Sequence, residues 1–215
     1  MVSLINKARR LESLVRPSQP GYVIFFVTNR CNFRCEFCFY YDEIEKGKKA
    51  DELSLDEIRR IAPSIGPLMQ LSLTGGEPFL RKDFAEVTSV LLDHTHAVRV
   101  TIPTNASLTD RIVAYLENLL PRYPDTFFRI SFSIEGIGEK HDTLRSMAGS
   151  YKKIQESYAA ISPLRDRFKN FSLESNSVFS ADSENTLIDT IRHLSEEFNF
   201  DNISVTYARG KIKNP

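Results

Sequence analysis

Phe128-Arg129-Ile130-Ser131-Phe132-Ser133-Ile134-Glu135 alternates apolar and polar residues without a break, so an extended chain here presents one apolar face and one polar face. The same pattern recurs on either side of it. Leu71 and Leu73 alternate with Ser72 and Thr74, and Phe171 and Leu173 with Ser172, Glu174 and Asn176. Tyr22 to Thr28 is an apolar, β-branched and aromatic run of strand length behind the breaker pair Pro20-Gly21, and Val98 to Ile102 and Ile203 to Tyr207 read as further strands. Helical patterns lie between them. One opens at Ser54-Leu55-Asp56-Glu57, with a hydroxyl N-cap and an acid at the third helical position, and others run over Asp83 to Asp93, Thr109 to Leu120, Tyr151 to Ile161 and Ser183 to Phe198.

Strands alternating with helices argue for parallel βα units, arranged as a doubly wound sheet or a barrel. A parallel sheet covered on both faces reads as continuous apolar runs, and a packed barrel interior is filled with bulky branched side chains. Here one face of nearly every strand is polar. With the apolar faces under the helices, the polar faces line a hydrated or ligand-filled lumen; a solvated sheet face suits antiparallel sheets and fits poorly with intervening helices. The expected fold is α/β, an open partial (βα)6 TIM-like barrel with parallel strands over residues 21–209. A helical or extended segment at 1–20 precedes it, and 210–215 begin a C-terminal extension.

Ligands of parallel α/β folds bind at the carboxyl ends of the strands. Directly after the first strand comes Cys31-Asn32-Phe33-Arg34-Cys35-Glu36-Phe37-Cys38-Phe39-Tyr40, which holds all 3 cysteines of the chain. Neither a helix nor a strand would point residues of this spacing at one place, so the loop must wrap around something. Iron–sulfur clusters and closed zinc sites both normally take four ligands. With three thiolates one metal keeps an open position, which suits catalysis; buried small hydrophobes, or zinc completed by a remote histidine, are the competing readings. After the second strand, Gly75-Gly76-Glu77-Pro78 combines glycines that permit close backbone approach with a proline that ends the strand.

The C-x3-C-x2-C spacing with aromatic Phe37 before the last cysteine, followed in order by Gly75-Gly76-Glu77-Pro78, resembles the radical S-adenosylmethionine (SAM) superfamily. The resemblance implies that Cys31, Cys35 and Cys38 hold a [4Fe–4S] cluster whose open iron chelates SAM's methionine. It also implies that the Gly-Gly-Glu motif contacts the SAM amino group. Thr104-Asn105-Ala106 stands where such enzymes usually carry Thr-Asn-Gly, so a turn with positive φ there would lack its usual glycine. Ser133-Ile134-Glu135-Gly136 resembles the Ser-x-Asp-Gly element of peptide-modifying and sulfatase-maturating members, which makes Ser133 and Glu135 candidates for the ribose hydroxyls. His141-Asp142-x-x-Arg145 continues the likeness, with Arg145 matched to the SAM carboxylate, and Asn176 is a further contact. Such families often continue into a cysteine-rich SPASM or twitch domain, for which this chain has no cysteines, so it is expected to be the core of a longer enzyme.

The implied oxidoreductase chemistry is one-electron cleavage of SAM to a 5′-deoxyadenosyl radical, which takes hydrogen from a substrate, with a peptide or protein side chain as the first guess. A flavodoxin or ferredoxin is the implied electron donor. The rival is a non-catalytic iron–sulfur or zinc module that recognises a partner. Among 215 residues 28 basic charges balance 28 acidic ones, so no polycationic field holds nucleic acid. No apolar run approaches the ~20 residues that span a bilayer, and Met1 to Arg16 lacks a signal-peptide core. A cytoplasmic protein is expected, and that compartment keeps thiols reduced. His94 and His96 are too close in sequence to share a helical face and are expected to cap or face solvent.

Overall fold

Six strands form one parallel sheet in chain order: β1 (Tyr22–Thr28), β2 (Gln70–Gly75), β3 (Arg99–Thr104), β4 (Phe127–Ser133), β5 (Phe171–Phe179) and β6 (Asn202–Tyr207). The computed structural model describes residues 20–48, 52–208 and 210; the segment expected at 1–20 and the extension expected at 210–215 lie outside them except for Pro20 and Gly210. Between the strands run α1 (Tyr41–Lys46), α2 (Leu55–Ile65), α3 (Phe84–Thr95), α4 (Thr109–Arg122), α5 (Glu139–Leu144), α6 (Ser150–Ile161), α7 (Leu164–Arg167) and α8 (Leu187–Glu197). Each strand pairs only with its neighbours in the chain, which leaves β1 and β6 as edges of an open barrel. The α/β partial barrel expected from the alternation is the fold observed. Among the described residues no helix is long and apolar enough to cross a membrane.

The alternation in β4 translates directly into two faces. Phe128, Ile130, Phe132 and the following Ile134 are fully buried against the helices, while Arg129, Ser131 and Ser133 remain half-buried on the other side. Register carries that polar face across the sheet, because Arg129 pairs with Thr101 and Ser172, and Ser133 with Asn176. β1 departs from it. Ile24 and Phe26 pair with Ser72 and Thr74, so the lumen face of β1 is apolar, and Tyr22, Ile24 and Phe26 are 51%, 54% and 42% exposed there.

Local chemistry fixes the element ends. Ser54 accepts from the Glu57 amide and Glu57 accepts from the Ser54 amide, the reciprocal cap expected at α2. His96 takes a left-handed φ of 47° as the C-cap of α3, a capping role. α8 starts at Leu187 rather than Ser183, because the Ser183 hydroxyl donates to the Val178 carbonyl and accepts from the Ser180 amide, holding a turn in place of the first helical turn. Pro103 lies inside β3 and has no N–H to give, and the β2–β3 pairing stops at Thr101.

Candidate active site

The cysteine loop is seated by the chain that follows β2. The Gly76 amide donates to the Thr28 carbonyl at 3.0 Å and the Glu77 amide to the Arg30 carbonyl at 2.8 Å, so the end of β2 clasps the residues immediately before Cys31. A Cβ on Gly75 would lie 2.1 Å from the Thr28 carbonyl oxygen, and one on Gly76 2.1 Å from that of Arg30. Gly75 also has φ of +139°, a region that side chains rarely adopt. The close approach that these glycines permit is therefore made to the chain's own backbone.

Glu77 bridges the gap that Pro103 opens. Its carboxylate, 1% exposed, accepts from the Thr104 hydroxyl at 2.8 Å, the Asn105 amide at 2.8 Å and the Phe79 amide at 3.2 Å. Burial raises its pKa to about 7 in spite of these donors, because desolvation disfavours the anion. Asn105 then reaches back to the cysteine loop. Its Nδ2 donates to Asn32 Oδ1 at 2.9 Å, and Asn32 Nδ2 donates to the Ser107 hydroxyl at 2.9 Å. Ala106 keeps the turn with φ of 59° although it is not glycine, and its methyl is buried in the core. Pro78 opens a short 3₁₀ turn over Pro78–Leu80, which buries Phe79 beneath the site.

On the opposite side the loop meets a buried charge. The Arg145 guanidinium pairs through both Nε and Nη2 with the Glu135 carboxylate, at 2.5 and 2.8 Å, and Nη1 donates to Cys35 Sγ at 3.7 Å. Its Cζ lies 5.3 Å over the Phe37 ring. His141 braces both partners, its Nδ1 accepting from the Glu135 amide at 3.2 Å and its carbonyl from the Arg145 amide at 3.0 Å. Burial and the Arg145 charge lower the His141 pKa to about 3, so the ring is neutral with its proton on Nε2. Glu135 and Arg145, expected at the SAM ribose and the SAM carboxylate, are brought together and engage each other.

The three thiols lie in a small apolar shell of Phe33, Phe37, Leu144, Met147 and Val178. Burial pushes the Cys31 thiol up to about 12 and raises Cys35 and Cys38 as well, while Arg145 works in the other direction on all three. Such thiols are poor free nucleophiles, and a bound metal is what makes thiolates of them. Among the described residues no three His, Cys, Asp or Glu side chains gather closely enough to hold a single ion. Cys31 and Cys35, and Cys35 and Cys38, nevertheless feel each other's charge. Thiols that neighbour one another without converging on a single point suit several irons with one thiolate each better than one tetrahedral zinc.

The family model described as the radical SAM superfamily matches residues 25–194. The chain belongs to this superfamily. A GTP 3′,8-cyclase of Mannheimia succiniciproducens is 29% identical over 165 residues, covering 70% of this chain and 49% of that enzyme. The GTP 3′,8-cyclase of Pectobacterium atrosepticum is 34% identical over 96 residues, 43% of this chain and 29% of the relative. The chain therefore spans about half, or less, of the curated relatives that it matches. Among solved structures, Streptococcus suis SuiB bound to S-adenosylmethionine superposes with a TM-score of 0.65 at 18% identity, over 92% of this chain and 44% of SuiB. Native anSMEcpe with bound AdoMet and the Kp18Cys peptide gives 0.69 at 15% identity, over 88% and 51%. The cofactors of this radical SAM core are a [4Fe–4S] cluster and SAM.

The remaining expected SAM contacts stand at the top of the lumen. Ser133 ends β4 on the polar face, and Asn176 beside it donates to the Thr206 hydroxyl at 3.1 Å and accepts from that of Ser204 at 3.1 Å. Sequence reasoning missed Asn32 and the Arg30–Glu52 pair, whose Nε–Oε1 distance is 2.8 Å and which also engages the Thr28 hydroxyl. Arg30 and Asn32 flank Cys31, and their place beside the motif was the available signal.

Proposed function

We propose that this barrel is the catalytic core of an enzyme that reductively cleaves SAM and uses the resulting radical on a peptide or protein side chain held in the lumen. A cluster held by Cys31, Cys35 and Cys38 would supply one electron to the SAM sulfonium, so that the C5′–S bond breaks with release of methionine and the 5′-deoxyadenosyl radical can take a hydrogen atom from the substrate. The observation that carries the reading is the seat itself: a loop with one buried and two half-buried thiols, its base clasped by Gly75-Gly76-Glu77-Pro78, at the carboxyl ends of six parallel strands above a polar lumen. Cys31, Cys35 and Cys38 bind the cluster. Backbone at Gly75 and Gly76, with Asn105, Ser133 and Asn176, orients SAM, and the Phe33–Phe37 shell keeps water off the cluster side.

The lumen charge supports this substrate class. Arg129, on the lumen face of β4, is held by Glu174 through Nε at 2.7 Å and through Nη2, so that pair is neutral, and Arg99 on the same face stands at the start of β3, at the opposite end of the strands from the cysteine loop. A triphosphate calls for several uncompensated cations, whereas an uncharged side chain suits the apolar wall of Tyr22, Ile24 and Phe26. Anaerobic incubation of the reconstituted protein with SAM and dithionite, with flavodoxin or ferredoxin as the protein donor, is expected to release 5′-deoxyadenosine. Absence of that product from protein with a full cluster would favour the partner-recognition module, and consumption of added GTP would move the substrate to the nucleotide class.

A further inference from the structure

We propose that Arg129 and Glu174 form a substrate anchor on the floor of the lumen, which selects a primary carboxamide, the side-chain end of asparagine or glutamine. This rests on the peptide reading above and narrows its side chain to those two. The anchor lies below the expected SAM contacts. Glu174 stands two residues before Asn176 on β5, and Arg129 four residues before Ser133 on β4, about 7 and 13 Å along the strands. Register sets Ser172 beside Arg129 and half-buried Ser131 beside Glu174. Through the pairing of β1 to β4, the exposed Ile24 stands on the level of Arg129, an apolar surface for the methylenes of such a side chain.

The pair leaves hydrogen-bonding capacity unused. A guanidinium has five N–H donors, and Arg129 gives Glu174 only Nε and one Nη2 proton; among the described residues Nη1 and the second Nη2 proton have no acceptor. Glu174 takes Ser172 and Arg129 Nε on Oε1 but only Arg129 Nη2 on Oε2, which keeps a lone pair. Donor and acceptor therefore stand side by side on Nη2 and Oε2. A trans peptide group turns its carbonyl and N–H to opposite sides, whereas a primary carboxamide carries both on one edge and can meet both. The pair is neutral as a unit, so an uncharged polar group enters without stranding a charge. The Thr101 hydroxyl, register partner of Arg129, is buried with no hydrogen-bond partner among the described residues, a second observation that this floor is made for a polar guest. Folding does not require the charges, because apolar residues of similar volume often replace a buried ion pair without loss of stability.

The test incubates the reconstituted protein anaerobically with SAM, dithionite and the N-acetyl, N-methylamide derivative of glutamine, glutamate or methionine, each deuterated on its α and side-chain carbons. Passage of deuterium from a probe carbon to C5′ makes 5′-deoxyadenosine one mass unit heavier, read as a fraction of the total product. The wild type is expected to give more than about tenfold higher label from glutamine than from glutamate or methionine. Arg129→Met with Glu174→Leu, an apolar floor with no stranded charge, is expected to put methionine ahead of glutamine. A merely structural pair would leave the order as it was. An unchanged order in that variant, equal wild-type label from methionine and glutamine, or product unlabelled by every probe would overturn the anchor. Should the double variant fail to hold a cluster, the wild-type preference decides. Label from GTP deuterated on its ribose, and from no amino-acid probe, would remove the peptide reading along with the anchor. A wild type that forms no 5′-deoxyadenosine strikes SAM cleavage itself, before any probes are compared.

Discussion

The cysteine loop is held on two sides by different physics. Towards β1–β3 it is tied by main chain: amides of Gly76 and Glu77 on carbonyls of Thr28 and Arg30, glycines where no Cβ fits, and short side chains at Asn32 and Asn105. Towards β4 and α5 it leans on long side chains carrying buried charge, with Arg145 between Glu135 and Cys35. The first side is rigid because backbone geometry allows few alternatives. The second depends on charges that are costly to bury and worth retaining only while both partners are present. Contacts that define the position of the loop come from the first side; the polarity around the sulfurs comes from the second.

Cys35 is where the two sides meet, so Cys35→Ala has the largest expected effect. Iron and sulfide after anaerobic reconstitution should fall to background while far-ultraviolet circular dichroism stays near wild type, because the buried core under the strands is separate from the shell around the thiols. Wild-type iron in this variant would show that the other two thiols suffice. On the main-chain side, Gly76→Ala places a methyl 2.1 Å from the Arg30 carbonyl oxygen, in contact with backbone that cannot move aside. More than about 5 kcal/mol of stability should be lost, read by urea unfolding. A loss below about 1 kcal/mol would mean that the clasp is pliable.

On the charged side, Glu135→Leu strands the Arg145 cation in an apolar shell and should cost about 3–5 kcal/mol, whereas Glu135→Leu with Arg145→Met should recover most of it. Additive losses in the double variant would show that the two residues act independently, and the contrast between the two sides would fall.

The main-chain side was legible in the sequence and the charged side only in part, for a physical reason. Strand alternation, the capping box at Ser54 and the order of cysteine loop and Gly75-Gly76-Glu77-Pro78 are set by local backbone rules, so each falls within a residue or two of its expected place. The glycines were read for close approach, but spacing does not reveal that the partner is Thr28 and Arg30. Glu135 and Arg145 were recognised as site residues. Their mutual pairing depends on side-chain reach across a turn and a short helix, which periodicity does not encode. Glu77, expected as a ligand contact, spans the gap left by Pro103, a link that depends on which strands happen to be neighbours.

Proton linkage separates the sides again, at a smaller scale. Folding raises the Glu77 pKa from 4.5 to about 7, so the folded state holds a proton that the unfolded chain has released. Its contribution is fully present below pH 4.5 and is lost as pH rises to about 7, on the order of 3 kcal/mol across the window. His141 goes the other way, from 6.5 to about 3, and its contribution is present above 6.5 and lost as pH falls towards 3. Urea unfolding of the cluster-free protein across this range should therefore slope less than either group alone dictates. Glu77→Gln should leave a stability that rises with pH and His141→Phe one that falls, and identical slopes in both would refute the assignment.

The smallest expected effect lies away from both sides and calibrates them. Ser54 and Glu57 close the first turn of α2 with hydrogen bonds of 3.3 Å from the Glu57 amide and 2.8 Å from the Ser54 amide, on the exposed end of the helix. Ser54→Ala removes the hydroxyl and leaves the Glu57 amide without its acceptor, while the bond from the residue-54 amide to the Glu57 carboxylate remains, a loss of about 1 kcal/mol by urea unfolding. Yet Ser54 follows Glu52 by two residues, and Glu52 receives Arg30 and the Thr28 hydroxyl at the base of the cysteine loop. If the loop is set by the glycine clasp, the frayed cap stays local and iron incorporation remains that of the wild type. If instead iron falls in proportion to stability, the segment around Glu52 is a third support of the cluster seat, and the division into a main-chain side and a charged side is too simple.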